Sequence, residues 1–249
     1  MDQDLLKTST KQRIIIGAIA ILMLGSMIAS YAAIVLSRGD SSTSDLDAET
    51  QALVAKYEDE YRAVSNAVAE ASSDYYNEFV GYRSEITAFN ETAANSGSIV
   101  SRDLKEGWGR ELVDGDTDYL AFYVGWCPDE SVFDSSFDND SRPTKFSQVL
   151  DPAVGLIEGW NSGIAGMKMY GIREITIPSE WAYGESQQIC GGYNKPLKFI
   201  IMAVEKSGAL KEAADKLSLI QTKIQYAYYG LDYDEMMGTG DYAEGGETE

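Results

Sequence analysis

The sequence contains no histidine. That absence removes Ser-His-Asp and Cys-His catalysis, the usual zinc ligand sets and the commonest general base near neutral pH. Basic residues are also scarce: 20 Lys and Arg stand against 40 Asp and Glu, a net charge of −20. Little in such a chain would neutralise phosphates, so nucleic acid is not an expected partner. Only Cys127 and Cys190 carry thiols. Without a histidine to activate either one, a catalytic cysteine is disfavoured, whereas a disulfide is permitted if the domain lies in an oxidising compartment. Chemistry must come from carboxylates, tyrosines or the shape of an apolar pocket. No metal and no cofactor is expected.

Hydrophobic residues make up 44% of the chain, enough for a core. Residues 14–36, IIIGAIAILMLGSMIASYAAIVL, carry no charge. As a helix they would span roughly 34 Å, enough for the hydrocarbon core of a bilayer. Lys7, Lys11 and Arg13 precede this run, so the positive-inside rule places 1–13 in the cytoplasm and the remainder outside. A cleaved signal peptide ending near Ser30-Tyr31-Ala32 is the competing reading, but its apolar region would ordinarily be shorter. A buried soluble helix is disfavoured by the length and by the missing polar face.

A polar linker follows at 37–45. Large side chains then recur at Leu53, Tyr57, Tyr61, Val64, Val68, Ala71, Tyr75, Phe79, Tyr82, Ile86 and Phe89. These near-heptad steps predict a helical segment over 46–95. Its stripe is rich in Tyr and Ala. A hairpin or stalk that shields its own stripe and a homodimer formed along it both stay open. NSGS at 95–98 ends the pattern. Beyond it, DYLAFYVGW (118–126), GIREITIP (171–178) and PLKFIIMAVE (196–205) alternate or run apolar as strands do. Residues 98–207 therefore read as an α+β domain, an antiparallel sheet with one short helical segment. Residues 208–230 predict an amphipathic C-terminal helix. The acidic, glycine-rich 231–249 reads as a disordered tail without EF-hand spacing. Asp138, Asn139 and Asp140 resemble a metal loop, but no glutamate follows at the right offset, so a turn is expected.

One stretch, LIEGWNSGIAGMKMYG (156–171), is apolar yet full of glycine, each of which costs roughly 1 kcal/mol in a helix interior. It takes its place in an ordered series: FYVGW, FDSS (133–136), PTKF (143–146), LIEGW, IPSEWAYG (177–184) and LKFIIMAV. The series, over about residues 99–206, resembles the FKBP-type peptidyl-prolyl cis-trans isomerases. The resemblance implies a five-stranded antiparallel sheet wrapped around a short helix, with a proline pocket between them. It implies Trp160 as the floor, facing an open cavity, and Tyr123, Phe133 and Phe199 as walls. Leu156 and Ile157 would form the rim. Asp134 would stand beside the twisting amide, and Tyr183 and the Ile157 N–H would bind substrate carbonyls. The implied activity is isomerisation of Xaa–Pro bonds in proline-containing polypeptide clients, here exported proteins folding at the outer face of a membrane. A catalytically weak chaperone or peptide-binding module is the alternative. The sequence departs from the family pattern at Thr144, where many relatives carry an aromatic wall, in extra residues around QVLDPAVG, and in the loop ESQQICGGYNKP (185–196). Ile189 and Tyr193 are the candidates to replace that loop's usual apolar contacts.

Overall fold

The computed structural model describes residues 48–138 and 143–238. The expected membrane span at 14–36 and the linker at 37–45 lie outside them. Among the described residues, no helix is long and apolar enough to cross a membrane.

The segment expected to form one helix over 46–95 is broken into pieces. Helix α1 (Ala48–Ala71) is followed by α2 (Ser73–Phe79), a 3₁₀ stretch (Val80–Glu85) and α3 (Glu91–Ser96). The first break is at Ser72, whose hydroxyl donates to the Val68 carbonyl at 2.6 Å, the back-bonding that bends helices. Asn90 opens α3 as an N-cap, accepting from the Ala93 N–H, which satisfies one of the donors a helix start leaves orphaned.

Five strands follow: β1 (Val100–Lys105), β2 (Leu120–Trp126), β3 (Val132–Ser135), β4 (Ile172–Ile177) and β5 (Leu197–Val204). Helix α4 (Glu158–Ile164) lies between β3 and β4 in sequence. The sheet is antiparallel throughout, in the order β1-β4-β5-β2-β3. This is the expected FKBP-like sheet around a short helix. The two edge strands, β1 and β3, were not legible as strands. β1 reads VSRDLK with mostly exposed side chains, and β3 is only four residues long.

The inner face of the sheet packs on α4. Ala121, Tyr123, Ile175, Ile177, Phe199 and Ile201 meet Trp160 and Ile164 there. Gly159 makes this approach possible. A Cβ on it would sit 2.2 Å from the Ile177 Cγ2 and 2.9 Å from the Trp181 carbonyl oxygen. Its role is thus close packing within the helix. Gly159→Ala should cost about 1–3 kcal/mol, the usual penalty of overpacking, read as a lower denaturant midpoint in equilibrium unfolding. An unchanged midpoint would show that Ile177 and the Trp181 backbone yield freely.

The outer face is also buried. Every residue of β2 is buried: Leu120, Phe122, Val124 and Trp126 face a second cluster with Val68, Phe79, Phe146, Ile200 and Met202. The cover comes from α1, α2 and α5 (Gly208–Ala227). Leu210, Ala213, Ala214 and Leu217 of α5 lie on the sheet cluster, and Ile220, Ile224 and Ala227 continue onto Val54 and Tyr57 of α1. The helical stripe is therefore shielded by its own chain. A dimer along 46–95 would have to use residues other than these.

The tail is ordered further than expected. Asp232 caps a short helix, α6 (Tyr233–Met237), and accepts from the Tyr57 hydroxyl at 2.7 Å. Asp234 pairs with Lys56 and Lys223. These contacts hold 232–237 against α1 and α5, so disorder from 231 onward is not what composition delivers at its first residues. The Asp138 carboxylate accepts from the backbone N–H and hydroxyl of Thr144; the turn expected at 138–140 falls largely on Asn139 and Asp140, which lie outside the described residues. Among the described residues, no group of three or more His, Cys, Asp or Glu could hold a metal.

Candidate active site

The site forms where β2, β3 and β5 meet the N-terminal end of α4. Alternation along β2 turns Tyr123 inward, and β3 pairs beside it with Gly125 opposite Asp134. Gly125 has a spatial purpose: a Cβ there would lie 2.7 Å from both the Phe133 and Phe199 rings. The missing side chain lets those two rings meet edge to face, 5.5 Å apart.

Trp160 stands at the third residue of α4. Its indole is edge-on to Tyr123 at 5.4 Å and to Phe199 at 5.2 Å. The indole N–H donates to the Tyr119 hydroxyl at 3.0 Å, giving the buried ring's only polar atom its partner. Trp160 is only 1% exposed, so the floor is closed, and the expectation of a ring open to a cavity is corrected. The reason is packing. Gly159 and Gly163 seat α4 deep against Ile177 and Ile175, and Phe133, Leu156, Ile157, Ala182 and Ile189 lie against the same cluster. These rim residues are half-buried and are the side chains a ligand would have to part.

The polar centre is a pair. The Tyr123 hydroxyl donates to Asp134 Oδ2 at 2.5 Å. Asp134 is 6% exposed. Burial pushes its carboxyl up from the ordinary 3.8 to about 7, against the opposing pull of Tyr123, the Ser135 N–H and Gln148. Tyr123 is itself pushed well above its ordinary value, first by burial and then by the Asp134 charge and hydrogen bond. Burial also raises Tyr183, and the charge on Asp134 adds to the rise. The two phenols and the one carboxyl thus share one low-dielectric compartment. Near neutral pH Asp134 is the group in it that changes charge.

The structure brings together all the expected site residues: Tyr123, Phe133, Asp134, Leu156, Ile157, Trp160, Tyr183 and Phe199 belong to, or line, the inner cluster. Ile157 precedes α4 as its N-cap, with an extended backbone. Of the two loop candidates, Ile189 joins the cluster and Tyr193 does not, being 51% exposed. Cys127 and Cys190 form a disulfide with Cα atoms 5.5 Å apart, tying the 185–196 loop to the end of β2. Tyr119 and Gln148 are not among the residues the sequence singles out, and Gly125 enters there only as part of the FYVGW motif, with no role of its own. Gly125 lies within a motif already quoted, and its neighbours on β2 were the available signal. Gln148 lies in the insertion, where no local pattern marks it.

The sequence is similar to those of known proteins. The family model described as FKBP-type peptidyl-prolyl cis-trans isomerase matches residues 110–204. An FK506-binding protein of Neisseria meningitidis serogroup A is 39% identical over 110 residues, covering 44% of this chain and 94% of the relative. The chloroplastic peptidyl-prolyl cis-trans isomerase FKBP13 of Arabidopsis thaliana is 34% identical over 125 residues, 45% of this chain and 57% of that protein. The crystal structure of AtFKBP13 covers 44% of this chain and 93% of its own, with 30% identity and a TM-score of 0.34.

Proposed function

The chain belongs to the FKBP-type peptidyl-prolyl cis-trans isomerases, and on that premise we propose that it turns Xaa–Pro bonds of exported polypeptides at the outer face of a membrane. The observation that supports the site roles most strongly is the Tyr123–Asp134 pair held against the Trp160 and Phe199 rings. The reaction suits a chain without histidine. Rotation about the amide breaks no covalent bond and needs no general base. Its barrier, about 18–20 kcal/mol, comes from the resonance of the planar amide. The twisted amide carries less charge separation than the planar one, so a dry aromatic site favours it. Groups that interact better with the twisted form than with either planar isomer lower the barrier.

In this reading the proline ring parts Phe133, Leu156, Ile157 and Ile189 and settles on Trp160. Tyr123 and Phe199 flank it. The Ile157 N–H and the Tyr183 hydroxyl bind substrate carbonyls, and ionised Asp134, held by Tyr123, faces the rotating amide. Uncatalysed isomerisation takes tens to hundreds of seconds, slow enough to limit folding, which gives the activity a use on newly exported chains.

The location is supported by the uncharged run at 14–36 and by the disulfide, a bond typical of oxidising compartments. Protease added to intact cells expressing the full chain tests it. Digestion of the isomerase domain without lysis is the expected result. Protection until the membrane is broken would overturn it. The closed floor favours one second reading, a peptide-binding chaperone with little turnover, which would suppress aggregation without accelerating proline isomerisation.

A further inference from the structure

The segment that matches the isomerase family begins at residue 110, and helix α3 (Glu91–Ser96) lies before it. One side chain of α3 nevertheless reaches the loop that carries Tyr183. Asn95 Oδ1 accepts from the Ser179 N–H at 2.9 Å, and Asn95 Nδ2 donates to the Asn194 carbonyl at 3.0 Å. A side-chain amide offers an acceptor and a donor side by side, and here they span the two arms of one loop. The bonds continue around it. The Ser179 carbonyl accepts from the Gly184 N–H at 2.9 Å, and the Gly184 carbonyl accepts from the Asn194 N–H at 2.8 Å. Asn95, Ser179, Gly184 and Asn194 thus close a ring of hydrogen bonds. Tyr183 stands in the arc between Ser179 and Gly184, and Ile189 in the arc between Gly184 and Asn194; both side chains reach the inner cluster. The base of α3 is itself tied down. The Trp126 indole N–H donates to the Thr87 carbonyl at 3.0 Å, and the Phe89 N–H donates to the Pro128 carbonyl at 3.1 Å. Glu91 adds an ion pair with Lys195 at 2.9 Å.

We propose that Asn95 is a positioning residue of the isomerase site, a brace from outside the family segment that sets where Tyr183 and the 185–196 loop stand. The need for a brace is structural. Between β4 and β5 the only regular element is the 3₁₀ turn Ser179–Trp181, so no strand ladder fixes this stretch against the rest of the site. The disulfide holds it at Cys190, and Asn95 holds its two arms. The brace starts from the same end of β2 that carries Cys127, so both attachments refer the loop to one fixed point. Asn194 turns there with φ at +55°, a left-handed conformation that asparagine adopts more readily than most residues. The consequence for catalysis rests on the isomerase reading, in which the Tyr183 hydroxyl binds a substrate carbonyl. That bond holds the planar and the twisted amide alike. Misplacing Tyr183 therefore weakens binding of substrate and transition state together, which raises KM and spares kcat.

The test uses the full chain carrying Asn95→Ala, followed by amide hydrogen exchange and by the kinetics of a proline peptide. The Ser179 and Asn194 amides should exchange about fivefold faster, the worth of one ordinary hydrogen bond, while amides of β2 and β5 keep their protection. KM should rise about fivefold, with kcat held within about a factor of two. Asn95→Asp keeps the acceptor for Ser179 and loses the donor to Asn194, so the Asn194 amide alone should speed up. If the alanine variant also loosens β2 and β5, the aspartate variant decides by the same two readouts. Unchanged exchange in the loop would overturn the inference. So would faster exchange with an unchanged KM, which would make Asn95 a structural contact only. A wild type that accelerates no isomerisation would sink the isomerase reading by itself. In that case the Tyr183 ring signals in NMR decide: displaced by Asn95→Ala, they uphold the role of Asn95, and unmoved, they overturn it.

Discussion

Asp134→Asn should yield a protein that is more stable and less active than the wild type. Asparagine keeps the shape and an oxygen to accept from Tyr123, but it carries no charge. A hydrogen bond involving a charged group contributes on the order of 1.5–3 kcal/mol. If that difference acts on the twisted amide, kcat/KM falls about 10- to 100-fold. The stability change has the opposite sign. Asp134 titrates at about 7 in the fold against an ordinary 3.8, so between those values the folded state binds the proton that the unfolded state has lost. Wild-type stability from this group is therefore greatest below pH 4 and declines as pH rises to 7. The whole cost, about 4 kcal/mol, is felt above that. Asparagine avoids it. Equilibrium unfolding at pH 8 should show the variant several kcal/mol more stable, and at pH 4 the two should nearly coincide. Equal stability at every pH would mean that Asp134 is not a buried carboxylate. Equal activity would mean that its charge does not act on the amide.

Replacing both cysteines by serine should lower stability by about 4 kcal/mol in the chain-entropy model, because the bond closes a loop between residues 63 positions apart. The effect on catalysis should be separable. Cys190 stands next to Ile189, which lies on the inner cluster with Phe133 and Leu156. Freed from β2, the 185–196 loop holds its side of the rim less firmly, so the KM for a proline peptide should rise more than kcat falls. Reduction of the wild-type protein should reproduce the change. A denaturant midpoint that does not move on reduction would show that the loop is fixed by its other contacts. Those contacts include the Asn194 N–H to the Gly184 carbonyl and Lys195 to Glu91.

The inner half of this molecule was legible because its residues are constrained from two sides. Tyr123, Asp134, Trp160 and Phe199 must meet across three strands and a helix, and their motifs keep order and spacing along the chain. The outer half was legible only in part. The apolar period of α1 was visible. Its partner was not, because the same stripe can cover α5, a sheet or a second copy. The face it covers was written in β2 all along: Leu120, Phe122, Val124 and Trp126 are apolar on the side that would otherwise meet water. A strand buried on both faces announces a second layer. The breaks at Ser72 and Asn90 escaped notice because they carry neither Gly nor Pro. β1 escaped because its exposed, charged residues resemble a linker. Ordering of 232–237 depends on Tyr57, Lys56 and Lys223, which are distant in sequence.

The most direct measurement is the cis–trans relaxation of short peptides, varied in the residue before proline, with and without the full chain. Relaxation faster than the uncatalysed rate, saturating with peptide and sharply reduced by Asp134→Asn, is the expected result. A folded protein that leaves every peptide relaxing at its uncatalysed rate would contradict it.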